Sequence, residues 1–251
     1  MCIIAIKPRE VNYPSYQRVK NMCDNNSDGF AIVWHVVGQP ARNYRTLNEK
    51  KFLKKYNEIT STYKSKDVSL FIHARIKTHG TTKLENCHGW IEDKVGMAFA
   101  HNGILSIKNR DDMTDSETFF RDIFAPVFEI GGWDAAEKAI KACIGTSKFC
   151  FMDMYGNIIH YGNYIKGDDG ILYSNDSYLE RTWAKYGNYY GTYGTYQNTW
   201  DKYDKYFEKK EKEKKVKVNA SLTPNTTEST GDYDDWYNSE EYWGGKDKLP
   251  F

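Results

Sequence analysis

An α+β domain with antiparallel strands is the fold class that this 251-residue sequence predicts. The first observation is the order of the predicted elements: strands come first, two successive helices follow, and hairpin strands close the domain. The second is the short connections between the late strands, because turns rich in Gly, Asn and Asp join antiparallel neighbours. A doubly wound parallel sheet is not expected, since it would alternate strands with crossover helices.

The first half of the chain carries most of the predicted strands. Apolar runs bounded by turn residues predict four of them, at 2–6, 30–37, 68–76 and 95–100. A short helix is expected over 16–23. A longer one is expected over 50–63, where apolar side chains recur on one helical face.

The second half of the core contains two predicted helices, over 117–128 and 133–144, with breaks at Pro126 and at Gly131-Gly132. Three further strands are expected, at 148–154, 158–161 and 171–173, joined by turns at 155–157 and 167–170. The globular core is expected to span residues 1–185.

The composition changes beyond residue 185. Residues 186–218 combine a Tyr- and Gly-rich loop with a Lys/Glu-rich segment that predicts a solvated helix. Residues 219–251 form an acidic segment with Trp and Tyr but little aliphatic content, which predicts a disordered tail. This tail either keeps the protein in solution or acts as a short motif that docks on a partner protein.

The overall charge and the cysteines narrow the function class. Thirty-five Lys and Arg against 34 Asp and Glu give a net charge of +1, so the overall electrostatic field does not favour the binding of nucleic acid. Five cysteines without paired spacing indicate reduced thiols. No apolar run reaches membrane-spanning length, and a cytoplasmic protein is expected.

Cys2 directly follows Met1. Removal of Met1 would give Cys2 a free α-amino group, which can accept the thiol proton near neutral pH and make the residue a nucleophile. The alternative is that Cys2 simply starts a buried strand.

Polar residues near the ends of the central strands are the other candidates. Arg75 either pairs with a nearby acid or uses its guanidinium to bind a substrate carboxylate. Asn102-Gly103 either forms a hairpin turn or offers a side-chain amide and a backbone N–H to one oxyanion.

Thr114-Asp115-Ser116-Glu117 precedes an apolar helix and predicts a capping box, with Thr114 as N-cap and Glu117 reaching back to it. Asp115 then either complements the helix dipole or binds an ammonium group.

Several residues that could bind zinc lie close in sequence: His73, His79, Cys87, His88 and His101. Their spacing lacks the paired pattern of zinc sites, so neither a metal nor another cofactor is expected.

The order of these motifs is more specific than any one of them. Cys2, then His73-Ala74-Arg75, Asn86-Cys87-His88, His101-Asn102-Gly103 and Thr114-Asp115-Ser116-Glu117, resembles the glutaminase domain of class II glutamine amidotransferases, which are N-terminal nucleophile hydrolases. The resemblance is dense from Cys2 to Glu117. It implies a four-layer αββα sandwich of two antiparallel sheets, here followed by a C-terminal helix and tail.

The resemblance also implies the role of each residue. Cys2 attacks the glutamine amide and forms a glutamyl thioester, while Asn102 and Gly103 hold the oxyanion. Arg75 binds the α-carboxylate and Asp115 the α-ammonium group, and Thr78, His79 and His88 line the same pocket.

Three positions depart from the family pattern. Ile76 replaces the usual aromatic residue after the binding Arg, Asn26 stands near the place of an early Arg, and Gly89 replaces the proline after His88. No synthase domain is visible after residue 185, so the ammonia is expected to pass to a separate synthase. The alternatives are hydrolysis of another γ-glutamyl amide, or a non-catalytic binding protein on the same fold.

Overall fold

The computed structural model describes residues 2–76, 82–110 and 113–180, together with the backbone of a short strand at Glu240–Glu241. Within these residues the strands form two antiparallel sheets. The strands are β1 (Ile3–Lys7), β2 (Phe30–Val36), β3 (Arg42–Thr46), β4 (Val68–Ala74), β5 (Trp90–Glu92), β6 (Met97–Asn102), β7 (Lys148–Asp153), β8 (Ile158–Tyr161), β9 (Ile165–Lys166), β10 (Leu172–Tyr173) and β11 (Glu240–Glu241). The larger sheet has the order β11-β3-β2-β4-β1-β10-β9, and the smaller one has the order β5-β6-β7-β8.

Two helices pack on the larger sheet and a helical region packs on the smaller one. Helix α1 (Tyr16–Asn25) begins at Ser15, whose hydroxyl accepts from the Arg18 N–H, and α2 (Glu49–Thr62) begins at Asn48 in the same way. On the other side, α3 (Asp115–Thr118) continues through a π-helical turn (Phe119–Phe124) into α4 (Ala125–Cys143).

Strand β1 shows how the sequence builds the layers. Ile3 and Ala5 join the core beneath α1 and α2, whereas Ile4 and Ile6 join the core between the two sheets. This alternation follows from the two-residue period of a strand. Every residue of β1 is buried, as expected for a strand covered on both faces.

The smaller sheet is also covered on both faces. Ala98 and Cys150 face the larger sheet, while Phe99, Phe149 and Phe151 pack against the π-helical turn and α4 in an aromatic core. Helices, sheet, sheet and helices therefore lie in four layers, and the predicted αββα sandwich is confirmed.

Several boundaries differ from the sequence-based predictions. The expected helix break at Pro126 is wrong, because the chain stays helical from α3 through the π-helical turn into α4, and Pro126 follows that turn without interrupting the helix. The break at Gly131-Gly132 is confirmed as a kink, with Gly132 at φ 62°. Strands β3, β5 and β9 were not predicted, since they are short or rich in polar residues.

The predicted C-terminal helix lies outside the described residues, as does all of 186–251 except the β11 backbone, which pairs with β3. In the parts of the chain that the structure describes, no helix combines the length and the apolar character needed to cross a bilayer.

Candidate active site

The Cys2 thiol lies at the start of β1, beside the end of β4. Its Sγ is 3.7 Å from the carbonyl oxygen of Ile76, and its own carbonyl accepts a hydrogen bond of 2.7 Å from Asn175 Nδ2. Burial raises the pKa of the Cys2 thiol, and the nearby positive charge of Arg75 partly opposes that shift. The thiol is therefore protonated at neutral pH unless a base removes its proton.

Arg75 follows β4 directly and is held by its backbone. Its N–H donates to the Gly29 carbonyl and its carbonyl accepts from the Asp28 N–H, both at 2.8 Å. The side chain is only 7% exposed, and its Nη1 is buried without a hydrogen-bond partner among the described residues. A buried guanidinium nitrogen in this state is costly unless a ligand completes it.

Asn102 ends β6, and Gly103 turns the chain away from the sheet. The next strand that pairs with β6 is β7, which starts at Lys148, so Asn102-Gly103 does not form a two-residue hairpin. Gly103 has φ 148°, and an added Cβ would lie 2.1 Å from Ser147 Oγ. Only glycine fits at this position after β6. Because glycine has no side chain, its backbone N–H is left unshielded.

Ser174 and Asn175, which directly follow β10, connect Cys2 and Asn102. Ser174 Oγ accepts from the Ile4 N–H and lies 2.8 Å from Asn102 Nδ2, so one hydroxyl joins the two sheets. Asn175 holds the Cys2 carbonyl. Neither residue was predicted to belong to the site; the available signal was a polar pair directly after a predicted strand.

Asp115 stands at the start of α3 and faces the loop after Gly103. Its Oδ2 accepts from the Leu105 N–H at 2.7 Å, and its Oδ1 accepts from the Ser116 N–H at 2.8 Å. The predicted Thr114 cap is confirmed, because its hydroxyl accepts from the Glu117 N–H. The expected return of the Glu117 side chain is wrong, since that carboxylate pairs with Arg121.

Three buried histidines stack beside these residues. The His88 ring lies 4.1 Å from His73 and 6.1 Å from His101, and its Nδ1 accepts from the His101 N–H at 3.1 Å. Burial lowers the pKa of His73 to about 3 and that of His101 to about 4, and it lowers the pKa of His88 as well. All three are therefore neutral at pH 7, and His88 holds the residue that precedes Asn102.

The three positions that depart from the family pattern lie in well-defined surroundings. Asn26 caps the end of α1 and donates to the Met22 carbonyl. Gly89 has φ 92°, which proline cannot adopt, so the segment after His88 takes a course that a His-Pro pair would not allow. Ile76 presents its carbonyl to the Cys2 thiol.

Thr78 and His79 lie outside the described residues, so their predicted place in the pocket stays a prediction. Within the described parts of the chain, no group of His, Cys, Asp and Glu side chains has the arrangement of a metal site.

A four-layer αββα domain with a cysteine at the head of a central strand is the architecture of an N-terminal nucleophile hydrolase. The sequence model of the class II glutamine amidotransferases matches residues 1–143, and the chain belongs to this family.

Individual relatives share parts of the chain. A Haemophilus influenzae protein, provisionally described as a glutamine amidotransferase, is 32% identical over 106 residues, which are 41% of this chain and 35% of that protein. The Bacillus subtilis glutamine phosphoribosylpyrophosphate amidotransferase is 16% identical with a TM-score of 0.43, covering 69% of this chain and 41% of that one. A Silicibacter pomeroyi class II domain protein is also 16% identical, with a TM-score of 0.38, covering 69% of this chain and 87% of that one. The chain thus spans well under half of the length of the first two relatives.

Proposed function

We propose that this domain hydrolyses the side-chain amide of glutamine through a thioester on Cys2. The observation that carries the proposal is the buried Arg75 guanidinium, whose Nη1 lacks a partner among the described residues and whose charge acts on the Cys2 thiol. A cationic fork beside a nucleophile suits an amino acid substrate, because its carboxylate completes the hydrogen bonds of the arginine.

The nucleophile needs a base. Because burial raises the pKa of Cys2, a thiolate is scarce at pH 7 without help. Removal of Met1 supplies an α-amino group on the same residue, with an ordinary pKa of about 7.7–8.0. This amine accepts the thiol proton and later returns it to the departing nitrogen.

Asn102 and Gly103 are the proposed oxyanion donors. The carboxamide of Asn102 has two N–H bonds, and Gly103 offers a backbone N–H beside a position without a Cβ. Removing one such donor typically costs about 2.7–4 kcal/mol of transition-state stabilisation.

The reaction then has two balanced halves. The Cys2 sulfur bonds to the amide carbon, the C–N bond breaks, and nitrogen leaves as ammonia with the proton from the thiol. Water next attacks the thioester, which gives glutamate and restores the thiol. Arg75 and Asp115 hold the two charged ends of glutamine, and this fixes the amide against the sulfur. Thr78 and His79 complete the pocket, and His88 supports its wall.

The ammonia acceptor is a separate synthase in this proposal, docked through the C-terminal tail, residues 219–251. Hydrolysis of another γ-glutamyl amide is the second candidate, motivated by Ile76, which lies beside the thiol at a position where the family usually has an aromatic residue.

The decisive test compares two partly buried cysteines. Cys2→Ala is expected to lower glutamate release from glutamine by at least about a thousandfold, since no other group replaces the sulfur. Cys143→Ala, at the end of α4, is the matched control and is expected to keep the wild-type rate. Equal rates for wild type and Cys2→Ala would reject the proposal.

An intact-mass measurement tests processing and substrate together. One adduct of an electrophilic glutamine analogue, on a chain that lacks Met1, is the expected result. A panel of γ-glutamyl amides then separates the two candidates, because glutamine should give the highest kcat/KM if the first is right.

A further inference from the structure

Ser174 is a buried hydroxyl that joins the nucleophile strand to the proposed oxyanion donor. It is 3% exposed, and its backbone N–H donates to the Ile4 carbonyl at 2.9 Å while its Oγ accepts from the Ile4 N–H at 2.8 Å. This pair of bonds locks Ser174 to β1, two residues from Cys2. The same Oγ is 2.8 Å from the carboxamide of Asn102 in the other sheet.

The hydrogen bonds at Ser174 determine which orientation of that carboxamide is favoured. With Nδ2 toward Ser174, the Oγ accepts two hydrogen bonds, and the Asn102 Oδ1 is buried without a partner among the described residues. The Ser174 hydroxyl hydrogen then has no acceptor within that part of the structure. Two polar groups are left unsatisfied in a buried place, which costs free energy for each.

A half-turn of the carboxamide exchanges Oδ1 and Nδ2 in the same space. Ser174 then accepts from the Ile4 N–H and donates its own hydrogen to Asn102 Oδ1, so the hydroxyl and the carbonyl oxygen are both satisfied, while the amide nitrogen takes the buried position that has no partner among the described residues until an oxyanion forms there. The amide nitrogen is released from Ser174 with both of its hydrogens available, and the carbonyl oxygen, which would repel an oxyanion, faces Ser174.

We propose that Ser174 is a positioning residue for the reaction: its hydroxyl donates to Asn102 Oδ1 and thereby directs the Asn102 amide nitrogen to the oxyanion. The inference rests on the proposed function, because it assigns the oxyanion to Asn102. Ser174 itself touches no reacting atom. It acts by fixing a donor before the reaction begins, which is how preorganised sites stabilise charge.

Kinetics of Ser174 variants test the proposal. Ser174→Ala is expected to lower kcat for glutamate release by about tenfold to a hundredfold, less than loss of the donor itself, and to change KM by less than about threefold. Ser174→Thr keeps the hydroxyl and should recover most of kcat. Ser174→Cys keeps the volume with a weak donor and should resemble Ser174→Ala, which covers the case in which alanine prevents folding.

Ser69→Ala is the matched control. Ser69 is also buried in the larger sheet and donates to a carbonyl, that of Gly156, at 2.7 Å. The Ser69→Ala variant should keep the wild-type kcat. The proposal is overturned if Ser174→Ala and Ser174→Cys keep kcat within about threefold of this control, or if Ser174→Thr loses as much as Ser174→Ala.

An NMR measurement separates this inference from the proposed function. If Asn102 Nδ2 donates to Ser174, its hydrogens lie close to the Ile4 amide hydrogen and give a cross-relaxation peak; the proposed orientation gives none. The carboxamide signals are assigned by their loss in Asn102→Asp. Absence of the peak in the wild-type protein supports the inference even if no glutamate is released, and a strong peak contradicts it.

Discussion

The two ends of the layer between the sheets differ in how many of their buried polar groups have a hydrogen-bond partner. At the end that holds Cys2, Arg75 Nη1 and both ring nitrogens of His73 are buried without partners among the described residues. At the opposite end, Ser69 donates to the Gly156 carbonyl at 2.7 Å and Arg9 donates to the Tyr155 carbonyl at 2.7 Å, and a single atom of these two side chains, Arg9 Nε, is buried without a partner among the described residues. Unpaired buried polar groups destabilise a fold, so their concentration beside Cys2 indicates a place that a ligand completes.

Each end also depends on one glycine with positive φ. Gly103, at φ 148°, lies against Ser147, and Gly156, at φ 81°, lies against His35 and Ser69. Both are steric requirements, but only Gly103 adjoins the proposed oxyanion site. The same type of glycine contact thus lies beside the proposed oxyanion site at one end and holds the two sheets together at the other.

Replacing the arginine at each end should give the largest difference. Arg75→Gln is expected to lower kcat/KM for glutamine by about a hundredfold to a thousandfold, because a buried charged partner of the substrate carboxylate is lost. Arg9→Gln should leave kcat/KM near the wild-type value, since Arg9 bonds a carbonyl at the far end. Steady-state kinetics of both variants measure this. Similar losses in the two would show that Arg75 does not bind the substrate.

The two glycines offer a smaller contrast. Gly103→Ala should lower kcat by about a hundredfold, because the added Cβ meets Ser147 and displaces the oxyanion donors. Gly156→Ala should instead lower the free energy of unfolding by about 2 kcal/mol through strain and overpacking, with kcat of the folded protein retained. Urea unfolding and steady-state kinetics of both variants measure these effects. A Gly156→Ala variant that is stable but inactive would show that the two ends do not differ in this way.

The sequence predicted the layers better than the contacts between them. Apolar runs such as 30–37 and 68–76 identified the central strands, because strands buried on both faces are apolar throughout. Strand β3, with the sequence RNYRT, was missed, since its place in the sheet comes from pairing with β2 and not from its own composition.

The candidate site was predicted in the same uneven way. Cys2, Arg75, Asn102 and Asp115 were predicted as site residues because their motifs occur in order along the chain. Ser174 was not, because its proposed role depends on Ile4 and Asn102, and the bonds that join them cross between distant parts of the chain. The π-helical turn at Phe119–Phe124 was missed for a related reason: the aromatic core around it, and not local propensity, favours the irregular turn.

Replacing one of the stacked histidines should give the smallest effect, a change in how steeply stability falls in mild acid. The pKa of His73 is about 3 in the folded protein against an ordinary value of about 6.5, so between these values the unfolded chain binds a proton that the folded chain does not. The contribution of these histidines to the free energy of unfolding is therefore fully present above about pH 6.5. It falls as the pH drops, by about 1.4 kcal/mol per pH unit for each such histidine.

His73→Phe removes one of these histidines and should reduce the slope of the unfolding free energy between pH 6.5 and 5 by about 1.4 kcal/mol per pH unit. His160→Gln should change the slope less, because burial lowers the pKa of His160 as well but this residue is far more exposed than the stacked histidines. Urea unfolding at pH 7.5, 6 and 5 measures the slopes, and a wild-type stability that stays constant over this range would show that the stacked histidines take up protons in the folded state.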